Sequence, residues 1–256
     1  VAAQPVLTAT PLAGSAEGAG ELLVVLASLG GSHEDWRAAA ELLADRWQVV
    51  GIDHPGHGAS ALAEDPFAIE DLAAGVLDAV DALGHERFAI AGLSLGGAVA
   101  QELAITWPQR LSGVAVLCSA PRIGEPSGWR DRAVVVRRSG TGSLVGGLAE
   151  RWFTPAFTAA DPDTVGRVLA GVAATDDESY ALCCEALGGW DVRDRIAGLT
   201  VPVLAVRGEH DPVATAEAMR PLVQAPGVTS VVLPGVRHQA AVEAPDAVAA
   251  ALLAGL

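Results

Sequence analysis

Arg87-Phe88-Ala89-Ile90-Ala91-Gly92-Leu93-Ser94-Leu95-Gly96-Gly97 decides the fold. Arg87–Gly92 is an apolar run that reads as a buried strand, and a helical pattern follows from Ser94 to Trp107, stopped by Pro108. A strand that turns directly into a helix leaves the serine between them in strained backbone angles. Gly92 and Gly96, two residues to either side, remove the Cβ atoms that would hold strand and helix apart. Gly-x-Ser-x-Gly is common by chance, but between a strand and a helix it has the context of a nucleophile elbow. The helix N-terminus then faces the oxyanion that forms when Ser94 attacks a carbonyl, and the Leu95 N–H can donate to it.

Outward from this turn the chain alternates. Glu21–Ser28, Trp47–Asp53 and Leu111–Cys118 read as buried strands, with helical patterns near Glu34–Asp45 and Ile69–Leu83. The rhythm breaks after Pro121, and from 122 to about 195 there are helical stretches and loops but no convincing buried strand. It returns with a strand at Pro202–Arg207, a helix near Ala214–Leu222, a strand at Thr229–Leu233 and a last helix from Pro245. Such alternation implies an α/β fold: a mostly parallel central sheet with helices on both faces. The expected division is a core of residues 1–121 and 196–256, with 122–195 as a helical cap insertion.

A nucleophilic serine needs a base, and the base needs an orienting acid. On a sheet of this kind both come from the ends of later strands, in the order serine, acid, histidine. Asp211 directly follows the strand Pro202–Arg207, and His238 follows the strand Thr229–Leu233. No acid stands at the end of the strand near Cys118, the other place from which an orienting carboxylate could come. Catalytic Ser94, Asp211 and His238 are therefore expected, with no cofactor.

Composition sets outer limits. Sixteen basic residues, all arginine, stand against 31 acidic ones, a formal charge of −15 that repels phosphate backbones and excludes nucleic acid as a partner. Nine of the arginines lie between Arg122 and Arg195 against 11 acids, so this segment is far less hostile to anions than the rest. No apolar run approaches the roughly 18 residues of a membrane span, so no membrane partner is expected. The N-terminus shows no basic segment followed by an apolar one. Cys118, Cys183 and Cys184 are an odd, badly spaced set that suits a reducing compartment, and a cytoplasmic location is expected. Cys183 and Cys184 read as packing. His54 and His57, in Asp53-His54-Pro55-Gly56-His57-Gly58, have a metal-like spacing but no further ligands, so they read as a turn and no metal is expected.

Across essentially its whole length the chain resembles the α/β-hydrolase family. The general features are Asp53-His54-Pro55-Gly56-His57-Gly58-Ala59-Ser60 and the elbow Gly92–Gly97. Within the family it is similar to the 3-oxoadipate enol-lactonases of the β-ketoadipate pathway. That likeness rests on Ala120–Gly124, Trp129 with Arg132, Glu150–Pro155, Tyr180–Leu187, Trp190–Arg193 and the loop Ser28-Leu29-Gly30. Many relatives carry His-Gly where this chain has Ala27-Ser28, but a backbone amide does the work, and by resemblance Leu29 joins Leu95 in the oxyanion hole. A second departure is Arg237-His238-Gln239-Ala240 in place of the more usual Ala-His-Leu-Ala.

The resemblance implies hydrolysis of a small anionic lactone in aromatic catabolism. Trp129, Arg132 and Trp152 would contact the substrate, Arg132 meeting its carboxylate from the same helical face as Trp129. A generic carboxylesterase or a cofactor-free perhydrolase could use the same triad. A ligand receptor built on a hydrolase fold, which binds rather than turns over, is the alternative outside enzymes.

Overall fold

The computed structural model describes residues 4–14 and 20–256. Seven strands form one sheet: β1 (Ala9–Ala13), β2 (Glu21–Leu26), β3 (Trp47–Ile52), β4 (Phe88–Leu93), β5 (Leu111–Leu117), β6 (Val203–Gly208) and β7 (Val228–Leu233). Their spatial order is β1-β3-β2-β4-β5-β6-β7, and all pair in parallel except β1, which lies antiparallel on β3. The six parallel strands are those read from sequence. Strand β1 was not, because Ala-Thr-Pro-Leu-Ala has neither β-branched density nor alternation. Pro11 is tolerated there because β1 is an edge strand, with one side free of ladder bonds.

Both faces of the sheet are buried, as a parallel sheet requires. In β2, Leu22, Val24 and Leu26 enter one apolar cluster and Leu23 and Val25 the other. The first cluster is closed by α2 (Ile69–Ala82) and α3 (Leu95–Thr106), through residues such as Leu72, Val76, Val99 and Leu103. Helix α1 (Arg37–Leu43) and the C-terminal helix Pro245–Gly255 close the second, through Leu43, Val248 and Leu252.

Between β5 and β6 the chain forms only helices: α4 (Pro126–Ser139), α5 (Val145–Trp152), α6 (Pro155–Ala160), α7 (Pro162–Ala174) and α8 (Asp177–Gly189), besides two 3-10 turns. The Val192 amide donates to the Pro121 carbonyl at 2.9 Å, so this segment leaves and re-enters the sheet region at one point. A buried tie holds the return. Glu102 of α3, wholly buried, accepts from Trp190 Nε1 at 3.1 Å, from both terminal nitrogens of Arg195 at 3.1 and 2.8 Å, and from Thr106 Oγ1 at 2.6 Å. After β6 come α9 (Ala216–Val223), then β7, then α10 (Ala240–Glu243) and α11 (Pro245–Gly255).

The chain runs from β2 to β3 on one side of β2 and returns to β4 on the other. The loops after β2 and β4 therefore part at the carboxyl edge of the sheet. A crevice opens at such a switch point, which makes it the natural place for a ligand.

Candidate active site

Ser94 stands at this crevice with φ 56 and ψ −109, in the left-handed region that a residue with a Cβ seldom adopts. The surroundings hold it there. Its amide donates to the Leu117 carbonyl at 2.9 Å, and Ser119 Oγ donates to the Ser94 carbonyl at 2.8 Å. A Cβ on Gly92 would collide with the Gly96 backbone, and one on Gly96 would meet Leu26, so the close approach of β4, α3 and β2 depends on both glycines. Ser94 is the N-cap of α3, so the helix begins at Leu95, one residue later than the start expected from the periodicity.

Asp211 lies just past β6 and His238 just past β7, and the fold brings them together. His238 Nδ1 stands 3.0 Å from Asp211 Oδ2 and 3.1 Å from Oδ1, with both residues buried. Burial works to raise the Asp211 pKa, but the His238 charge and hydrogen bond, with the amides of Val213 at 2.8 Å and Ala214 at 3.1 Å, outweigh it. The carboxyl is held below its ordinary range and stays ionised, so Nδ1 carries the proton and Nε2 presents a lone pair. Ser94 and His238 line the same cavity, with no hydrogen bond between them among the described residues. Such contacts are often long before substrate arrives.

Cys118, directly after β5, packs beneath the pair: its sulfur lies within 4.8 Å of the Asp211 and His238 ligand atoms. Burial, and next the Asp211 charge, push this thiol well up, so it remains protonated. Cys183 and Cys184 are buried in α8, and burial pushes the Cys184 thiol up to about 12.

The loop after β2 makes a turn in which the Gly31 amide donates to the Ser28 carbonyl at 2.9 Å. Gly30, third in the turn, has φ +86, which a type II turn reserves for glycine. Leu29 is thereby set beside Ser94 on the cavity wall. Among the described residues, neither the Leu29 nor the Leu95 amide donates to a protein acceptor. Two donors are thus available at the serine.

His54 and His57 do form a turn, and the structure adds what that turn does. His57 Nε2 accepts the Gly30 amide at 3.0 Å while its Nδ1 lies 2.8 Å from the Pro55 carbonyl. His54 Nε2 lies 2.9 Å from the Ala27 carbonyl. Burial, and next the nearby His54, lower the His57 pKa to about 4, which keeps the ring neutral and able to accept. The pair braces the Leu29 loop from behind, a role invisible to a spacing argument.

The cavity, of about 290 Å³, is also lined by Ile123, Trp129, Arg132, Leu148, Arg151 and Trp152 from the segment between β5 and β6. Trp129 and Arg132 share one face of α4, with the guanidinium carbon 5.0 Å from the indole centroid. Trp190, the third tryptophan of this segment, does not line it and is instead the buried partner of Glu102. Arg151 was missed by the sequence reading, although it stands next to Trp152. Partial burial and then the Arg132 charge lower its pKa, so the two cations feel one another. Among the described residues neither arginine forms an ion pair, in a chain with nearly twice as many acids as bases. No helix among the described residues is long and apolar enough to cross a membrane.

Comparison with known proteins gives concordant findings. The profile described as "Alpha/beta hydrolase family" matches residues 23–251. The chain is 36% identical over 193 residues to 3-oxoadipate enol-lactonase 2 of Acinetobacter baylyi, covering 75% of this chain and 72% of that protein. It is 29% identical over 241 residues to a pimeloyl-[acyl-carrier protein] methyl ester esterase of Aliivibrio salmonicida, covering 90% and 89%. Among solved structures, the enol-lactonase from Burkholderia xenovorans LB400 superposes with a TM-score of 0.93 at 32% identity, over 97% of this chain and 95% of that one. An elbow serine, a histidine held by an aspartate and a seven-stranded sheet thus agree with both sequence and structural likeness: this chain belongs to the alpha/beta hydrolase family.

Proposed function

We propose that this protein hydrolyses a small carboxylate-bearing lactone, 3-oxoadipate enol-lactone first among candidates, through an acyl-enzyme on Ser94. The observation that carries the reading is that Arg132 and Arg151, in the cavity that Ser94 and His238 line, have no carboxylate partner among the described residues. Cations without a carboxylate partner beside a nucleophile suit an anionic substrate, and guanidinium groups match a carboxylate in geometry. Residues 122–195 act in this reading as the cap that recognises the acid, with Trp129 and Trp152 as apolar walls. A cavity of about 290 Å³ suits a small molecule. The enol-lactonase likeness supports the same substrate class.

His238 Nε2 takes the Ser94 proton as Oγ bonds to the lactone carbonyl carbon, and the Leu29 and Leu95 amides receive the oxyanion. Collapse breaks the ring C–O bond, and the departing enol oxygen takes the proton from His238. The enol, still attached through the acyl chain, tautomerises to the ketone. Water then adds to the acyl carbon as His238 takes its proton. The second collapse frees Ser94, which regains that proton, and releases the dicarboxylate. Asp211 holds the tautomer and stabilises the imidazolium in both halves.

The test compares turnover of the enol-lactone with that of p-nitrophenyl acetate. The lactone is expected to be the better substrate by kcat/KM, and efficient ester cleavage without lactone cleavage would refute the assignment. Ser94→Ala should keep its fold and ligand binding while kcat falls by about 10⁵- to 10⁶-fold, as removing a serine nucleophile does elsewhere. Retained turnover in that variant would remove Ser94 from its role.

A further inference from the structure

The two departures from the family pattern noted in the sequence, at Ala27-Ser28 and at Arg237-Gln239, meet in the structure. Gln239, wholly buried, donates from Nε2 to Ser28 Oγ at 2.7 Å, across 211 residues of sequence. Ser28 is buried too and directly precedes Leu29, while Gln239 directly follows His238. One hydrogen bond therefore ties the loop that carries an oxyanion donor to the loop that carries the base.

Each loop is held elsewhere as well. On the far side of Leu29, the Gly30 amide is fixed by His57. On the base loop, the Gln239 amide donates to the Trp152 carbonyl at 3.1 Å, and the Arg237 guanidinium donates to the carbonyls of Glu150 and Phe153 at the end of α5. The Arg237 amide donates to Glu243 Oε2 at 2.7 Å, and Glu243 Oε1 accepts the Thr154 amide at 2.9 Å. Among the described residues the Gln239–Ser28 bond is the one hydrogen bond that joins the Leu29 loop directly to the His238 loop.

The bond has a cost. Gln239 Oε1 is buried with no partner among the described residues, a penalty that an apolar side chain of similar size would avoid. A buried amide kept with half its hydrogen-bonding capacity unused suits positioning better than stability.

We propose that Gln239 is a positioning residue for the hydrolytic reaction, setting the Leu29 amide relative to His238 through Ser28. This rests on the reading of Ser94, His238 and Leu29 given under Proposed function. The transition state needs both groups in register within about half an ångström, whereas ground-state binding in the cavity does not.

Gln239→Met removes the bond and the orphan oxygen together. The expected result is a kcat lower by about 10- to 100-fold on both the lactone and p-nitrophenyl acetate, with KM changed by less than about threefold. Its thermal midpoint should match or exceed that of the parent, a combination that a merely structural residue would not give. A boronic acid that forms a tetrahedral adduct on Ser94 should lose affinity by the same factor as kcat, while inhibition by the dicarboxylate product stays constant.

Ser28→Ala breaks the bond from the other side and should lower kcat similarly. The double variant should lose no more than the worse single one, because both delete one interaction. If Gln239→Met does not fold, Ser28→Ala carries the same expectation alone. Unchanged kcat in the folded variants, additive losses, or an unchanged boronate affinity overturns the proposal. If Ser94→Ala is inactive in the same assay, only the Gln239 role is lost. If Ser94→Ala remains active, the serine mechanism fails and takes this inference with it.

Discussion

Ser94 and His238 reach the cavity from the ends of two parallel strands, with Asp211 behind His238 at the end of a third, whereas Trp129, Arg132, Arg151 and Trp152 reach it from helices that lie between β5 and β6. The strand-borne groups sit in a bed of wholly buried residues such as Val24, Ile90, Leu117 and Val206, and their partners are fixed carboxylates and amides. The helix-borne arginines are partly or largely open to solvent and have no carboxylate partner among the described residues. A bond-making group needs placement that a packed sheet edge supplies. A group that recognises a charge can come from a looser element, since electrostatic attraction falls off gradually with distance.

Substitutions should separate the two regions. The largest effect belongs to the strand side. Asp211→Asn keeps the shape but reverses the hydrogen bond that selects the His238 tautomer, so kcat should fall by about 10⁴-fold with KM nearly constant. Steady-state kinetics across pH would check this, and a loss confined to KM would break the contrast.

On the helix side, Arg132→Ala and Arg151→Ala should each raise KM for a carboxylate-bearing lactone by about 10- to 100-fold. KM for a neutral ester should change little. A kcat loss equal to that of Asp211→Asn would mean that these arginines serve the reacting atoms and not the distant carboxylate.

The smallest effect lies at the seam. Asp35, at the base of α1, caps the preceding turn by accepting the Ser32 amide at 3.2 Å and shares a surface cleft with Arg167 of α7. Burial pushes its carboxyl up to about 7. The Ser32 amide and Arg167 oppose that rise, while the charges of Asp53 and Glu34 add to it. The folded protein thus keeps a proton that the unfolded chain releases near pH 4, so this group's contribution to stability falls as pH rises from about 4 to 7 and is level above. Asp35→Asn should raise the thermal midpoint by a few degrees at about pH 8 and by much less at about pH 5, without changing kcat. Calorimetry at the two pH values decides it, and an equal shift at both would place the Asp35 pKa in its ordinary range.

Much of the molecule was legible residue by residue. Glycines around Ser94, β-rich apolar runs and a proline stop are local signals, and they located six of the seven strands and the elbow. Asp211 and His238 were legible because strand ends in this fold converge, so position in the strand order stands in for distance. β1 escaped because edge strands face weaker constraints on composition. Arg151 escaped because an arginine beside a tryptophan has no period to reveal which way it faces.

His57 shows the limit most clearly. Its residue type and spacing suggested either a metal ligand or a plain turn, and only packing gave it the Gly30 amide to accept. The same holds for Trp190 on Glu102 and for Gln239 on Ser28.

By itself the sequence determined the α/β order, the strained serine turn and the residues that share the strand ends, because sterics and hydrophobic period act over a few neighbours. Tertiary structure alone decided which arginines line the cavity with no carboxylate partner among the described residues, and which side chains brace the Leu29 loop. Those outcomes are choices of partner across as many as 211 residues, and a hydrogen bond or an ion pair leaves no periodic trace in the chain that makes it.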